Sequence, residues 1–174
     1  MLASFAGAGF LAKLLQIAGS ERRTNLRFAR EYSFRELRSN NAVLLGNARS
    51  NPWFQPFEPK QGIRWQFDSA AGAYYPVDSW SGNQGYRAGG ETHYFSIALV
   101  PNLGGTGNVL LVSSTGGSAM KAGADFLSDE RAMSALRQKL PRANDQTFPY
   151  FEALIQVRSL PKDAVVMIAR PAAR

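Results

Sequence analysis

Apolar residues recur at helical spacing in Phe10, Leu11, Leu14, Leu15 and Ile17, which predicts an amphipathic helix with one face in a core. Beyond Gly19-Ser20, the run Thr24–Arg30 alternates apolar and basic positions, as a half-buried strand does. Ser33, followed three residues later by Glu36, is a capping box for a short helix over Phe34–Arg38 that Asn40-Asn41 closes. Ala42–Gly46 is a continuous apolar run between polar turn residues. It reads as a strand buried on both faces, which implies helices above and below it. Asn51 before Pro52 marks the start of a short helix, Pro52–Phe57.

Ile63–Phe67 and Ala73–Val77 follow as a hairpin around Asp68–Gly72, and the Gly-, Ser- and Asn-rich stretch Asp78–Gly90 as an exposed loop. His93–Val100 and Asn108–Val112 are apolar strands joined across the glycine-rich turn 101–107. Two helices come next: Ala119–Leu127 with Ser118 as N-cap, and Asp129–Leu140 stopped by Pro141. Tyr150–Leu160 and Ala164–Ala169 are strands around Pro161-Lys162-Asp163. This order predicts a three-layer α/β/α sandwich with a mixed, mostly buried sheet, Rossmann-like or flavodoxin-like, ending in a C-terminal β-hairpin. At 174 residues with 45% hydrophobic positions, one α/β domain spanning 1–174 is expected, without internal repeats.

Composition removes whole classes of chemistry. With no cysteine and one histidine, His93, there is no thiol nucleophile, zinc finger or multi-histidine metal site. The net charge of +7 predicts weak general attraction to polyanions. Its densest part, Arg22, Arg23, Arg27, Arg30, Arg35 and Arg38 interleaved with Phe28, Tyr32 and Phe34, also contains Glu21, Glu31 and Glu36. That mixture suits a solvated face better than a nucleic-acid surface. The apolar N-terminus lacks a basic region ahead of it and is interrupted by Lys13, so it reads as a core helix, neither a signal peptide nor a span.

Gly7-Ala8-Gly9-Phe10-Leu11-Ala12 matches a dinucleotide fingerprint in form, with Glu31 at a suitable distance, but no strand of sufficient length leads into it. No lysine-bearing phosphate loop and no Gly-x-Ser-x-Gly elbow is present. Glu58, Asp68, Asp78 and Glu91 are scattered without metal-ligand spacing, and no cofactor is expected. Trp53, Trp65, Trp80, Tyr74, Tyr75 and Tyr86 read as core and loop anchors before they read as a sugar or peptide groove. A serine hydrolase would need His93 as base to Ser113, Ser114 or Ser118, with Asp125 or Asp129 orienting it. The more specific candidates are two polar loops, each leaving a buried strand and opening a helix. Asn47, Arg49, Ser50, Asn51 and Trp53 form the first; Ser113, Ser114, Thr115, Gly116, Gly117 and Ser118 form the second. If both lie at one sheet edge, they frame a cleft for a small polar or anionic ligand.

The segments Arg27–Leu37, Ala42–Trp53 and Ile97–Gly107 carry a family likeness. The chain resembles, from about Ser4 onward, the C-terminal α/β domain of bacterial proteins that have an N-terminal winged-helix DNA-binding domain and one membrane span. The resemblance implies a non-enzymatic sensory or interaction domain of a regulator, on the extracytoplasmic side of the inner membrane if part of such a protein and otherwise cytoplasmic. The winged helix and the span have no counterpart in these residues, so direct DNA binding by them is not expected. The expected partner is a small polar or anionic ligand or another protein, with a homodimer as the remaining arrangement. A hydrolase using Ser114 or Ser118 with His93, and a purely structural dimerisation module, are the alternatives.

Overall fold

The structure is a computed structural model that describes residues 5–18, 25–141, 149–158 and 163–172. Along the chain run α1 (Phe5–Ala18), α2 (Phe34–Ser39), β1 (Ala42–Leu45), β2 (Ile63–Asp68), β3 (Ala73–Asp78), β4 (Gln84–Gly85), β5 (Thr92–Pro101), β6 (Asn108–Ser114), α3 (Gly117–Ser128), α4 (Glu130–Lys139), β7 (Phe151–Arg158) and β8 (Asp163–Pro171), with short 3-10 turns at Ala29–Glu31, Pro52–Phe54 and Glu58–Lys60. The strands form a five-stranded sheet in the order β1-β6-β5-β7-β8 and a separate three-stranded sheet in the order β2-β3-β4. Among the described strands, only β1 runs parallel to its neighbour, β6; the other pairs are antiparallel.

This overturns the three-layer α/β/α, Rossmann-like or flavodoxin-like expectation: among the described residues, eight strands in a mixed and an antiparallel sheet, with four helices, make a sheet-rich fold. Helices cover one face of the large sheet. There Phe95, Ile97, Val112, Phe151, Ala153, Ile155 and Val157 pack with Phe10 of α1, Ala119, Met120 and Ala124 of α3 and Leu136 of α4. The opposite face is covered mainly by non-helical chain. Leu44, Ala98, Val100, Val109 and Leu111 meet Leu37 of α2 and Phe54 and Phe57 of the 3-10 segment, while Tyr94 and Leu154 meet Ile63 of the small sheet. An apolar run reports that a strand is covered, and a hairpin and a pair of tight turns cover it as well as helices do.

Local signals held where the chemistry was local. Ser33 Oγ accepts from the Glu36 N–H at 3.2 Å and Glu36 accepts in return from the Ser33 N–H at 2.9 Å, so the capping box starts α2. Asp129, expected as the first residue of the second helix, is its cap instead: it accepts from the N–H groups of Arg131 and Ala132, and α4 begins at Glu130. Other expectations fail. Asn25–Phe28 is irregular and leads into a 3-10 turn, with Leu26 76% exposed; alternation alone gave it no partner strand. The Gly19-Ser20 stop and Thr24 lie outside the described residues, as do the side chains of Leu15 and Ile17. β1 is an edge strand in which Val43 is 42% exposed, not a strand buried on both faces. In place of an α-helix over Pro52–Phe57 there is a 3-10 turn at Pro52–Phe54 followed by turn residues to Phe57, and α3 begins at Gly117, which places Ser118 inside the helix instead of at its cap.

Candidate functional site

The parallel pairing of β1 with β6 brings both candidate loops to the same rim of the large sheet. The Gly46 N–H donates to Val112 O at 2.9 Å, and Ser113 Oγ donates to Gly46 O at 2.5 Å, so the two strand ends are tied where the loops begin. From there the chain turns to opposite faces. Ala48 and Trp53 pack with Leu37, Leu44 and Phe54 on one side, while Ala119 and Met120 of α3 pack with Phe95 and Val112 on the other. Adjacent parallel strands whose connections diverge in this way leave a crevice outside their carboxyl ends, the position where open α/β sheets receive ligands.

Most polar side chains in these loops support the loops themselves. Asn47 Oδ1 accepts from the N–H groups of Arg49 (3.1 Å) and Ser50 (3.2 Å), and Ser50 Oγ accepts from the Asn47 N–H at 3.0 Å. Asn51 accepts from the Trp53 N–H and donates to Leu45 O, which pins the loop to the end of β1. Trp53 Nε1 donates to Ala29 O at 2.6 Å. Arg49 leaves the rim for the β2–β3 hairpin, where its guanidinium lies 5.4 Å from the centre of the Phe67 ring and reaches the Tyr74 hydroxyl at 3.4 Å. In the second loop, Ser114 Oγ donates to Gly116 O and Thr115 Oγ1 accepts from the Tyr94 N–H at 3.0 Å. Gly116 occupies the cap position of α3 with no side-chain cap, and Gly117 and Ser118 are exposed. The N–H groups of Gly117, Ser118 and Ala119 therefore point out of the helix end without intrahelical acceptors, at the positive pole of a 12-residue helix.

Gly46 is what allows the first turn. Its φ is +117°, and a Cβ there would run into Ser50 Oγ. Replacing Gly46 with alanine is expected to cost about 1–3 kcal/mol and to separate the two loop origins, measurable as a lower urea midpoint with unchanged slope.

The hydrolase constellation is not assembled. The β5–β6 register pairs Phe95 with Ser114, which sets His93 one diagonal step from Ser114 on the helix-covered face. Ser114 gives its proton to Gly116 O instead, Asp125 pairs with Lys13, and Asp129 is committed to capping α4. Gly7 and Gly9 lie inside α1. The aromatic residues are dispersed anchors: Trp65 Nε1 donates to Ser96 Oγ, Trp80 stacks on Arg170, and Tyr86 meets Tyr94 edge-on. Among the described residues no group of three or more His, Cys, Asp and Glu side chains could hold a metal ion, and no helix is long and apolar enough to cross a membrane.

Sequence reasoning passed over a buried polar cluster between the two sheets. Arg170 of β8 grips Asp78 with two nitrogens (Nη1 to Oδ2 3.0 Å, Nη2 to Oδ1 2.7 Å), and its Nε donates to Glu152 Oε1 at 2.5 Å. Glu152 Oε2 accepts in turn from the N–H groups of Gly62 and Ile63. Side-chain exposures of 3% for Asp78 and 2% for Glu152 make this a desolvated network. Burial pushes the Asp78 carboxyl up, yet the hydrogen bonds from Arg170, Ser81 and the Trp80 N–H prevail and hold it below the usual carboxylate range. The available clue was a charge next to an apolar run in each of two strands, Glu152 at the start of Phe151–Arg158 and Arg170 near the end of Asp163–Pro171. No family model, curated protein or solved structure matches the chain.

Proposed function

We propose that this chain is a non-enzymatic binding domain, the signal-receiving part of a membrane-associated bacterial transcriptional regulator, and that it takes a small polar or anionic ligand at the rim between Asn47–Trp53 and Ser113–Ser118. The observation that supports this most is the divergence of the two connections from the tied ends of β1 and β6. The uncapped start of α3 supplies outward N–H groups suited to a carboxylate or phosphate oxygen, and extended Gly116 lets a ligand approach the backbone closely. The regulator context rests on the family likeness of Arg27–Leu37, Ala42–Trp53 and Ile97–Gly107 alone.

A thermal-shift titration with inorganic phosphate and with succinate, paired with an assay on generic p-nitrophenyl esters, tests the reading. A bound anion at about a hundred times its Kd is expected to raise the melting temperature by roughly 5–10 °C, with no ester turnover. Ester turnover that disappears in His93→Ala would instead establish the hydrolase. A melting temperature that depends on protein concentration and ignores every anion would establish the dimerisation module.

A further inference from the structure

Beneath the rim, a cavity of about 10 Å³ lies between the large sheet and its non-helical cover, lined by Phe54, Ile63, Gln61, Ser96, Ser113 and Glu152 among others. Four of these are buried polar side chains: Gln61 is 8% exposed, Ser96 7%, Ser113 4% and Glu152 1%. Gln61 Nε2 has no hydrogen-bond partner among the described protein groups, although a buried amide N–H is costly to leave unmade.

The remaining hydrogen-bonding capacity around the cavity has a definite sign at each corner. Gln61 Nε2 offers donors. Ser96 Oγ already accepts from Trp65 Nε1, so its own O–H is free to donate. Ser113 Oγ spends its proton on Gly46 O and keeps lone pairs to accept. Glu152 receives three N–H donors from Arg170, Gly62 and Ile63 and, as a carboxylate with about four acceptor positions, retains one. Two donor and two acceptor side chains line a space about the size of one water molecule. An anion would face the Glu152 carboxylate, and a cation would face the donors of Gln61 and Ser96. Water both accepts and donates, so it suits donors and acceptors together, and the volume admits one molecule.

We infer that the protein binds one internal water here, accepting from Gln61 and Ser96 and donating to Ser113 and Glu152. It joins the 3-10 cover to β5, β6 and β7 and holds the Ser113 hydroxyl in the rotamer that ties β6 to β1. The site does not depend on what the rim recognises.

Two measurements test it. A crystal structure of the full chain at better than about 1.5 Å should show one peak within about 2.7–3.2 Å of Gln61 Nε2 and of at least two of the other three groups. A dry cavity, a Gln61 amide bonded to protein, or a peak at metal–oxygen distance overturns the inference. The second is the melting temperature of Gln61→Met, which has a similar volume and no donor. If the amide holds a water, that water loses a partner and the melting temperature falls by about 2–4 °C. If the amide is orphaned in an empty cavity, removing it relieves a desolvation penalty and the melting temperature rises.

Discussion

Arg170→Met is expected to lower the unfolding free energy by about 3–5 kcal/mol at neutral pH, because it leaves Asp78 and Glu152 buried with no countercharge. The guanidinium is the only cation in contact with either carboxylate among the described ion pairs, and it joins β8 and β7 of the large sheet to the end of β3 in the small one. Glu152→Gln should cost less, since one amide oxygen still accepts from the N–H groups of Gly62 and Ile63. The pH dependence follows from Asp78. Its carboxyl is held below the ordinary value, so its contribution is fully present above about pH 4 and is lost as pH falls through the depressed folded value. In Arg170→Met the depression is gone. Denaturant titrations at pH 7 and pH 3 should therefore show the variant's deficit shrinking in acid; a deficit that stays constant would mean that Arg170 acts through packing on Trp80, whose ring it overlies at 4.3 Å.

Phe95→Ala should destabilise by a similar amount, about 3–5 kcal/mol, for a different reason. Phe95 is 0% exposed at the centre of the helix-covered face, 6.1 Å from the ring of Phe10. It fills a notch in α3: a Cβ on Gly123 would land on its ring. A glycine in mid-helix normally loses about 1 kcal/mol to alanine, but here Gly123→Ala is expected to destabilise by about 1–3 kcal/mol because the sheet leaves the ring nowhere to go. The two sites are coupled. Phe95→Leu with Gly123→Ala should lose less than the sum of the single changes, and strict additivity would show that α3 can lift away from β5 without cost.

What the sequence disclosed and what it hid divide by the distance over which the physics acts. Ser33 with Glu36 and Asn51 with Pro52 are legible because each cap is made within three residues. The β2–β3 and β5–β6 pairings are legible because a turn sits between two apolar runs. The pairing of Ala42–Leu45 with Val109–Val112 is long-range, and nothing in either run specifies a parallel neighbour. The cover of the second face was misread for the same reason, since Leu44, Leu111 and Leu154 would look alike under a helix or under a hairpin. At the rim, the residues were located but their duties were not. Asn47, Ser50 and Asn51 look like ligand donors in sequence, and in the fold they brace their own turn, leaving the outward groups to the backbone of Gly117–Ala119. The Asp78–Arg170–Glu152 network was invisible as a set because its members lie far apart in the chain.

Amide-resolved NMR titration with inorganic phosphate tests rim recognition most directly. Binding at the tied strand ends predicts saturable shifts confined to the amides of Asn47–Asn51 and Gly116–Ala119, with the largest changes at Ser118 and Ala119. Shifts that saturate elsewhere, or that spread uniformly over the arginine-rich N-terminal third as a general charge effect would, contradict it.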